Sequence, residues 1–321
     1  MPITLAEASK NVQDDLQTGV IDEFRKNNFL LDNLTFDDVV SPTGGGATLT
    51  YAYTRLLTQP TAGFREVNEE YSPQTVTKQR YFADLKIFGG SFEVDRIIAG
   101  MGGITNEVTL QMAQKIKAAQ ALFNDTVING DSAVDAKAFD GLEKALAGSS
   151  TEYDPGTAID LSSSATVDTN WKLFLDQLDE FLMGLDGSPS FIAGNTKLIA
   201  KLRACARRAG MYQTTKNDFG IQVESYGNIP WIDLGAKSGT NDPIVPISSV
   251  AGSEGHTSLY AARLGLDGFH GISMAGQPPV RTWLPDYTTA GAVKKGEVEM
   301  VAGVALKATK AAGVMRKIKV A

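Results

Sequence analysis

The chain has 321 residues, of which 43% are hydrophobic and 21% are charged, and its formal net charge at pH 7 is −7. This composition is typical of a folded protein of one to three domains, and it excludes a disordered chain and a basic nucleic-acid-binding face over the whole surface. No stretch of about 18 apolar residues predicts a membrane span, no signal peptide is predicted, and the single cysteine, Cys205, excludes a disulfide within the chain.

Residues 1–45 are predicted to form an arm that packs on a surface other than its own domain. Residues 4–27 have an amphipathic helical pattern with five apolar residues on one stripe: Leu5, Val12, Leu16, Val20 and Phe24. The following segment, NNFLLDNLTFDDVV, mixes short apolar groups with Asn and Asp. This mixture favours a segment that lies extended along another surface and does not form a core of its own. The alternative is a first helix that packs on its own domain.

Two long strands are predicted on either side of a polar loop. Residues 47–57 and 75–88 are rich in β-forming residues and partly alternate. The loop between them carries four charged residues: Arg65, Glu66, Glu69 and Glu70. Because so long a hairpin has little apolar material to bury, we expect it to rest on a neighbouring molecule through these residues. The alternative is a mobile surface loop.

The strongest helical pattern covers residues 105–129, TNEVTLQMAQKIKAAQALFNDTVIN. Its apolar stripe consists of Val108, Met112, Ile116, Ala119, Phe123 and Val127. Thr105 or Asn106 is predicted to cap the first amides, and Gly130 to end the helix in the left-handed conformation. Such a helix is roughly 35 to 40 Å long and could span a domain. The alternative is a core helix of an ordinary enzyme.

A run rich in Gly, Ser, Thr and Pro at residues 147–166 predicts a domain boundary. Beyond it, Asp168 or Thr169 is predicted to cap a helix that ends at Gly187. A strand, a second helix and several short strands follow, which is typical of a compact mixed domain. The second helix carries a basic cluster: Lys197, Lys201, Arg203, Arg207 and Arg208. This cluster predicts a solvated helix face, with a surface turned toward a polyanion as the alternative.

The chain ends on two predicted strands joined near Ala311. The second strand is predicted to alternate, with Val314, Ile318 and Val320 on one side and Met315, Lys317 and Lys319 on the other. These strands must pair with earlier ones, which we expect to be those that flank the long helix.

No motif in the sequence predicts catalysis, a cofactor or a metal. His256 and His270 lack the His, Cys or carboxylate neighbours of metal motifs, and the glycines at 100–103 lack dinucleotide-binding spacing. Cys205 has no nearby histidine that would activate it, so a buried filler is expected. We therefore expect a protein that is not an enzyme.

The order of these elements, with the local phrases FNDTVINGD at the end of the long helix and FDGL after it, resembles the major capsid protein of tailed double-stranded-DNA bacteriophages. That fold is shared with encapsulins and the herpesvirus capsid floor, and the resemblance covers nearly the whole chain. It implies an α+β fold in five parts. These are an N-terminal arm at 1–45, the E-loop hairpin and flanking strands at 46–90, a P-domain at 91–163 with the spine helix at 105–129, a mixed A-domain at 164–274, and a return to the P-domain with the C-terminal strands at 275–321.

The resemblance implies a structural protein that self-assembles into pentamers and hexamers of an icosahedral head enclosing double-stranded DNA. The chain would then be a virion protein assembled in the host cytoplasm. The expected intersubunit contacts are Arg65, Glu66, Glu69, Glu70 and Phe24. The expected packing residues of the spine helix are Val108, Met112, Ile116, Phe123 and Val127.

The expected partners are further copies of the chain and packaged DNA in weak non-specific contact, with no membrane. Only residues 1–45 precede the E-loop, too few for a fused scaffolding segment, so a separate scaffolding protein or none is implied, besides portal and decoration proteins. Some relatives cross-link their subunits through Lys–Asn bonds; Lys78 and Lys86 lie in the E-loop without matching that pattern, which leaves cross-linking open. The alternatives are an encapsulin-like nanocompartment, a tail-tube protein and an α/β enzyme.

Overall fold

The computed structural model describes residues 29–41, 48–101, 106–210, 213–216, 222–250 and 252–321. The helix predicted at 4–27, including Phe24, lies outside the described residues. The helices are α1 (Phe29–Asn33), α2 (Arg96–Gly100), α3 (Glu107–Asn129), α4 (Leu142–Leu146), α5 (Ser164–Met183) and α6 (Thr196–Ala209). The strands are β1 (Phe36–Val40), β2 (Thr50–Leu56), β3 (Lys78–Asp84), β4 (Lys86–Asp95), β5 (Glu152–Tyr153), β6 (Ile159–Asp160), β7 (Phe191–Gly194), β8 (Gln213–Lys216), β9 (Gln222–Tyr226), β10 (Ile229–Asp233), β11 (Ser248–Val250), β12 (Ser253–Ala262), β13 (Phe269–Met274), β14 (Val280–Trp283), β15 (Val293–Leu306) and β16 (Ala312–Lys319).

The long helix α3 lies on a five-stranded sheet built around β15. Antiparallel β4 pairs with β15 over its whole length, β14 and β13 pair with other parts of β15, and β1 runs parallel to β13. Phe92, Val94 and Val298 of this sheet pack against Met112 and Ala119 of α3. The expectation that C-terminal strands pair beside the long helix is therefore confirmed for β15.

The two ends of α3 differ in how well they were predicted. At the start, the Asn106 side chain accepts a hydrogen bond of 3.2 Å from the Thr109 amide, as one of the two predicted caps. At the end, Gly130 has φ −62° and ψ 132°, so the predicted left-handed conformation is wrong. The glycine is required for another reason: a Cβ there would lie 2.2 Å from the carbonyl oxygen of Phe139 and 2.5 Å from that of Thr126.

A nine-stranded sheet forms the second layer and has helices on both faces. Its order is β5-β16-β12-β7-β10-β9-β8, with β11 beside β12 and β6 beside β16. Helices α5 and α6 cover one face, and the end of α3 with α1 and α4 covers the other. Strand β16 is consequently buried on both sides, with Val314 in one core and Met315 in the other. The predicted alternation is therefore wrong: Ile318 and Val320 lie in the core of Met315 and not in that of Val314. The physical reason is an irregularity of the strand at Lys317, whose φ is 57°, between the residues that pair with Leu259 and Thr257.

Helix α5 begins earlier than predicted. Ser163 caps it through a capping box with Thr166, in which each side chain bonds the backbone amide of the other residue. Asp168, predicted as a cap, lies within the helix and pairs with Arg208. The helix ends at Met183, before the predicted stop at Gly187.

Residues 29–41 belong to the body of the subunit. Leu30 and Leu34 are buried in the core that also contains Phe123 of α3, and Phe36 of β1 pairs with Gly271 of β13. The expectation that this part of the arm lies extended on another surface is therefore wrong. The physical reason is its two leucines, which are spaced four residues apart and share one face of a helical turn.

Sheet membership does not follow two of the predicted domain boundaries. Residues 269–274, assigned from sequence to the A-domain, pair with β1 and β15. Residues 312–319, assigned to the returning P-domain, lie in the nine-stranded sheet.

Candidate assembly surfaces

The hairpin predicted from the sequence is present and forms a two-stranded sheet of its own. Strands β2 and β3 pair antiparallel from Thr50 opposite Asp84 to Leu56 opposite Lys78. The second predicted strand is divided at Leu85, which is buried and whose amide donates to the Leu49 carbonyl at 2.8 Å. Beyond this point β4 joins the five-stranded sheet, so the hairpin projects from that sheet.

One face of the hairpin is anchored to the body of the subunit. The Tyr51 hydroxyl donates to Asp37 at 2.8 Å, and the Tyr53 hydroxyl donates to the Leu306 carbonyl at 3.0 Å. Burial raises the pKa of both tyrosines, and the bond to Asp37 raises the pKa of Tyr51 further. Both hydroxyls therefore stay protonated and donate at neutral pH.

Arg55 extends this anchor to the connection between β15 and β16. Its guanidinium donates to the carbonyls of Lys307, at 2.7 Å, and Leu306, and lies 4.4 Å from the centre of the Tyr81 ring. The charge is thus held by carbonyl dipoles and an aromatic face, which fixes the direction in which the hairpin leaves the body.

His270 lies directly beneath this anchored face. Its ring is fully buried and meets the Tyr51 ring edge to face at 5.7 Å. The Lys307 Nζ lies 5.4 Å from the centre of the Tyr51 ring and 3.8 Å from the Asp37 carboxylate. Burial, and secondarily Lys307, lowers the pKa of His270, so the imidazole is neutral at pH 7 and acts as part of the packing.

The opposite face of the two strands, here called the outer strand face, is open to solvent. It consists of Thr50, Ala52, Thr54 and Leu56 of β2 with Lys78, Arg80, Phe82 and Asp84 of β3. Leu56 and Phe82 are exposed, and the Arg80 guanidinium lies 5.1 Å from the Phe82 ring centre. Neither Lys78 nor Arg80 forms an ion pair with the described residues.

The hairpin tip, residues 57–77, is exposed throughout. It is ordered by contacts across its own width: the Thr61 amide donates to Gln74 Oε1 at 2.7 Å, and the hydroxyls of Thr58 and Thr77 lie 2.8 Å apart. Among the described residues, its hydrogen bonds are made inside the tip itself. The conformation of the tip is therefore stabilised by hydrogen bonds between its own two sides.

The four charged residues predicted from sequence in the hairpin lie in this tip. The Arg65 guanidinium donates to the carbonyls of Glu66 and Glu69, at 3.2 and 3.3 Å, so it organises the tip. The three glutamates, Glu66, Glu69 and Glu70, are exposed and form no ion pair with the part of the chain described. Their role as intersubunit contacts stays a prediction.

Sequence reasoning missed three exposed apolar residues of the tip: Phe64, Val67 and Tyr71. Their signal was available as large apolar side chains spaced within a run of otherwise polar residues. Exposed apolar side chains mark interaction sites, because burying them in an interface is favourable. These three residues therefore add a hydrophobic contribution to the contacts predicted for the charged residues.

The predicted packing stripe of α3 contacts two different cores. Phe123 and Val127 are fully buried among residues of both sheets, whereas Met112 belongs to the smaller core formed with β4 and β15. Val108 and Ile116 are partly buried against that smaller core.

Three of the five basic side chains of the α6 cluster form ion pairs or hydrogen bonds within the chain. Arg203 pairs with Glu224 and Arg208 with Asp168, both at 2.5 Å, and Lys201 donates to the Ser162 carbonyl at 2.6 Å. These contacts favour the solvated-face interpretation over a polyanion-binding surface.

A second exposed apolar surface lies at the far end of the five-stranded sheet. It contains Ile97 and Ile98 of α2 and Met101 just after it, with Trp283 at the end of β14 and Leu284 next to it. Leu284 lines one cavity together with α2 residues, so the two segments are neighbours in space.

Neither a metal site nor a membrane span is found within the described ranges. Those residues contain no group of three or more His, Cys, Asp or Glu able to hold a metal ion, and none of their helices is long and apolar enough to cross a membrane. Burial raises the pKa of Cys205 to about 11, which keeps its thiol protonated.

No protein-family model and no curated protein sequence matches the chain. Solved structures do match it over nearly its whole length. The holo-SrpI encapsulin complex from Synechococcus elongatus PCC 7942 matches with a TM-score of 0.68 at 16% identity, over 100% of this chain and 97% of that one. The capsid of Myoviridae phage XM1 matches with a TM-score of 0.61 at 12% identity, over 99% of each chain. A structure from Mycobacterium phage Bobi matches with a TM-score of 0.62 at 12% identity, over 98% of this chain and 99% of that one.

These likenesses confirm the predicted α+β fold. The chain has the major capsid fold, which occurs in both a bacterial encapsulin and phage capsids.

Proposed function

We propose that the chain is the major capsid protein of a tailed phage and self-assembles into the pentamers and hexamers of an icosahedral head. The observation that carries this proposal is the hairpin, which is fixed on one face by Tyr51, Tyr53 and Arg55, while its tip is exposed and, among the described residues, makes its hydrogen bonds within itself. The direction of the hairpin is fixed, yet its tip is exposed in the single subunit. Both features are explained if the tip packs on the neighbouring subunit.

In this proposal the hairpin is the E-loop and α3 is the spine helix. The five-stranded sheet belongs to the P-domain, and most of the nine-stranded sheet to the A-domain. The exposed apolar surface around Ile97 and Leu284 supplies a further contact region at the other end of the P-domain.

Assembly would depend on repetition of weak contacts. Exposed ion pairs contribute about 0 to 1 kcal/mol each, so the three tip glutamates add direction more than affinity. The exposed apolar residues Phe64, Val67 and Tyr71 supply the burial that stabilises the contact. A contact between two different surfaces of identical subunits forms a ring where the rotation between neighbours closes, as it does in a pentamer or hexamer.

Packaged DNA would be held by weak, non-specific contact, in keeping with the net charge of −7 and the internal pairing of the α6 cations. Under this proposal the protein is a virion component assembled in the host cytoplasm, without an enzymatic role. Its partners besides its own copies are portal and decoration proteins, and a separate scaffolding protein if one is used.

An encapsulin-like compartment is the second candidate, and the match to an encapsulin over 100% of the chain favours it. The two candidates differ in what the shell encloses, which is DNA in a phage head and protein cargo in a nanocompartment.

Electron microscopy of the purified protein, with and without a crowding agent, tests the proposal. We expect closed shells with five-fold and six-fold capsomers. A matched variant in which residues 58–76 are replaced by a short turn should remain folded by circular dichroism and fail to assemble. Monomers under every condition, or open tubes, would overturn the proposal, and shells that co-purify with a protein cargo from their native host would favour the encapsulin candidate.

A further inference from the structure

We infer that the hairpin tip of one subunit binds the outer strand face of the hairpin of the adjacent subunit. This inference rests on the proposed shell function and names the surface that receives the tip. It follows from a match in charge, a match in exposed apolar residues, and the geometry of the hairpin.

The charges of the two surfaces are complementary. The tip carries one arginine and three glutamates, a net charge of −2, and its arginine is already engaged by tip carbonyls. The outer strand face presents Lys78 and Arg80, which have no ion-pair partner among the described residues. The face also contains Asp84, but this carboxylate lies at the root, where it bonds Thr50 and is 3.9 Å from Lys86 Nζ. The half of the face nearest the tip is therefore basic.

The exposed apolar residues of the two surfaces also correspond. The tip offers Phe64, Val67 and Tyr71, and the outer strand face offers Leu56 and Phe82, all exposed in the subunit. An aromatic and aliphatic centre with a charged rim is the usual composition of a specific interface. A contact between the two surfaces would bury the apolar residues of the tip and those of the outer strand face together.

A hairpin cannot make this contact with itself. The tip continues directly from Leu56 and Lys78, the last paired residues of the two strands, and those strands are extended. Folding the tip back over the outer strand face would break the bonds that order its base, from the Leu57 amide to the Thr77 carbonyl and between the hydroxyls of Thr58 and Thr77. The receiving face must therefore belong to another copy. Because tip and face are different surfaces, the contact is head to tail, which is the kind of contact that the rings of a pentamer or hexamer require.

A charge-reversal experiment tests the inference. The double variant Lys78→Glu, Arg80→Glu should lower the yield of shells at least ten-fold, because it opposes like charges at the contact. Adding Glu69→Lys and Glu70→Lys to the same chain should restore assembly, since every interface then regains opposite charges. The control Lys197→Glu, Arg207→Glu makes the same charge change on exposed positions of α6 and should assemble normally.

Circular dichroism and thermal melts of each variant establish that the subunits are folded. Normal assembly of the Lys78→Glu, Arg80→Glu variant would overturn the inference and leave the proposed shell intact. Failure of the quadruple variant to regain assembly would also overturn the inference, because damage to the hairpin would then explain why the double variant does not assemble. Absence of shells from the wild-type protein would instead count against the proposed function.

Discussion

Replacing Phe123 by alanine should remove a large share of the free energy that keeps the unassembled subunit folded. The Phe123 side chain is fully buried, and its ring centre lies 6.2 Å from those of Phe36 and Phe88 and 5.8 Å from that of Phe139. It therefore joins α3 to β1, to β4 and to the segment that precedes α4. Removing such a ring costs about 3 to 5 kcal/mol through lost burial and the cavity left behind. This is a large share of the roughly 5 to 15 kcal/mol that stabilises a typical protein.

The assay is urea unfolding of the unassembled subunit followed by circular dichroism, compared with Leu122→Ala as a control. Leu122 is the preceding residue of the same helix and is 38% exposed, so its truncation should cost only about 1 kcal/mol. The urea midpoint should fall much further for Phe123→Ala, with an unchanged slope. Equal losses for the two variants would refute the view that this aromatic cluster joins α3 to the rest of the subunit.

Three further predictions concern single side chains. Gly130→Ala should destabilise the subunit by about 1 to 3 kcal/mol, because the new Cβ would lie 2.2 Å from the Phe139 carbonyl oxygen and 2.5 Å from that of Thr126. His270→Leu should reduce the loss of stability in acid. Burial lowers the native pKa of this histidine, so below pH about 6.5 the unfolded chain takes up the proton first, and wild-type stability falls by up to about 1.4 kcal/mol per pH unit until the native pKa is reached. Ile116→Asp should cost about 2 to 3 kcal/mol and prevent assembly, because it places a carboxylate against the core between α3 and β4.

The same urea unfolding measurement checks all three predictions. Gly63→Ala is the control for Gly130, since no atom lies within 4 Å of its added Cβ, and equal stability of both variants would contradict the close-approach argument. The His270 variant is compared with wild type at pH 5 and pH 8; a parallel decline of both proteins would show that other groups cause the acid sensitivity. Ala113→Asp places the same charge at an exposed position of α3, and Ile116→Asp must lose more stability than this control.

Local patterns predicted the elements that depend on neighbours in the sequence. The apolar spacing of Val108 to Val127 predicts α3, and Asn106 supplies its cap through a side chain three residues from the amide that it bonds. The alternation on both sides of a polar run predicts the β2–β3 hairpin. That the charged tip rests on a neighbouring molecule, because it has little to bury, stays a prediction.

Errors occurred where distant segments decide the outcome. The need for glycine at Gly130 is set by the Phe139 carbonyl, and the burial of Met315 is set by the helices on both faces of its sheet. In the basic cluster of α6, Arg203 and Arg208 are paired with Glu224 and Asp168, and the spacing of the basic residues on the helix does not predict these partners.

The sequence by itself determined that this protein contains a long amphipathic helix, a projecting hairpin with a charged tip, and a mixed second half, because these features follow from periodicity and turn chemistry within short windows. The tertiary structure alone decided which strands share a sheet and which face of the hairpin is anchored. Strand β15 illustrates the reason: besides the nearby β13 and β14, its 14 residues pair with β4, in which Asp95 opposite Val293 lies far earlier in the chain, and no local pattern specifies such a partner. The separation of the hairpin into an anchored face and an open, basic face likewise depends on Leu306 and Lys307, more than 250 positions along the chain from Arg55.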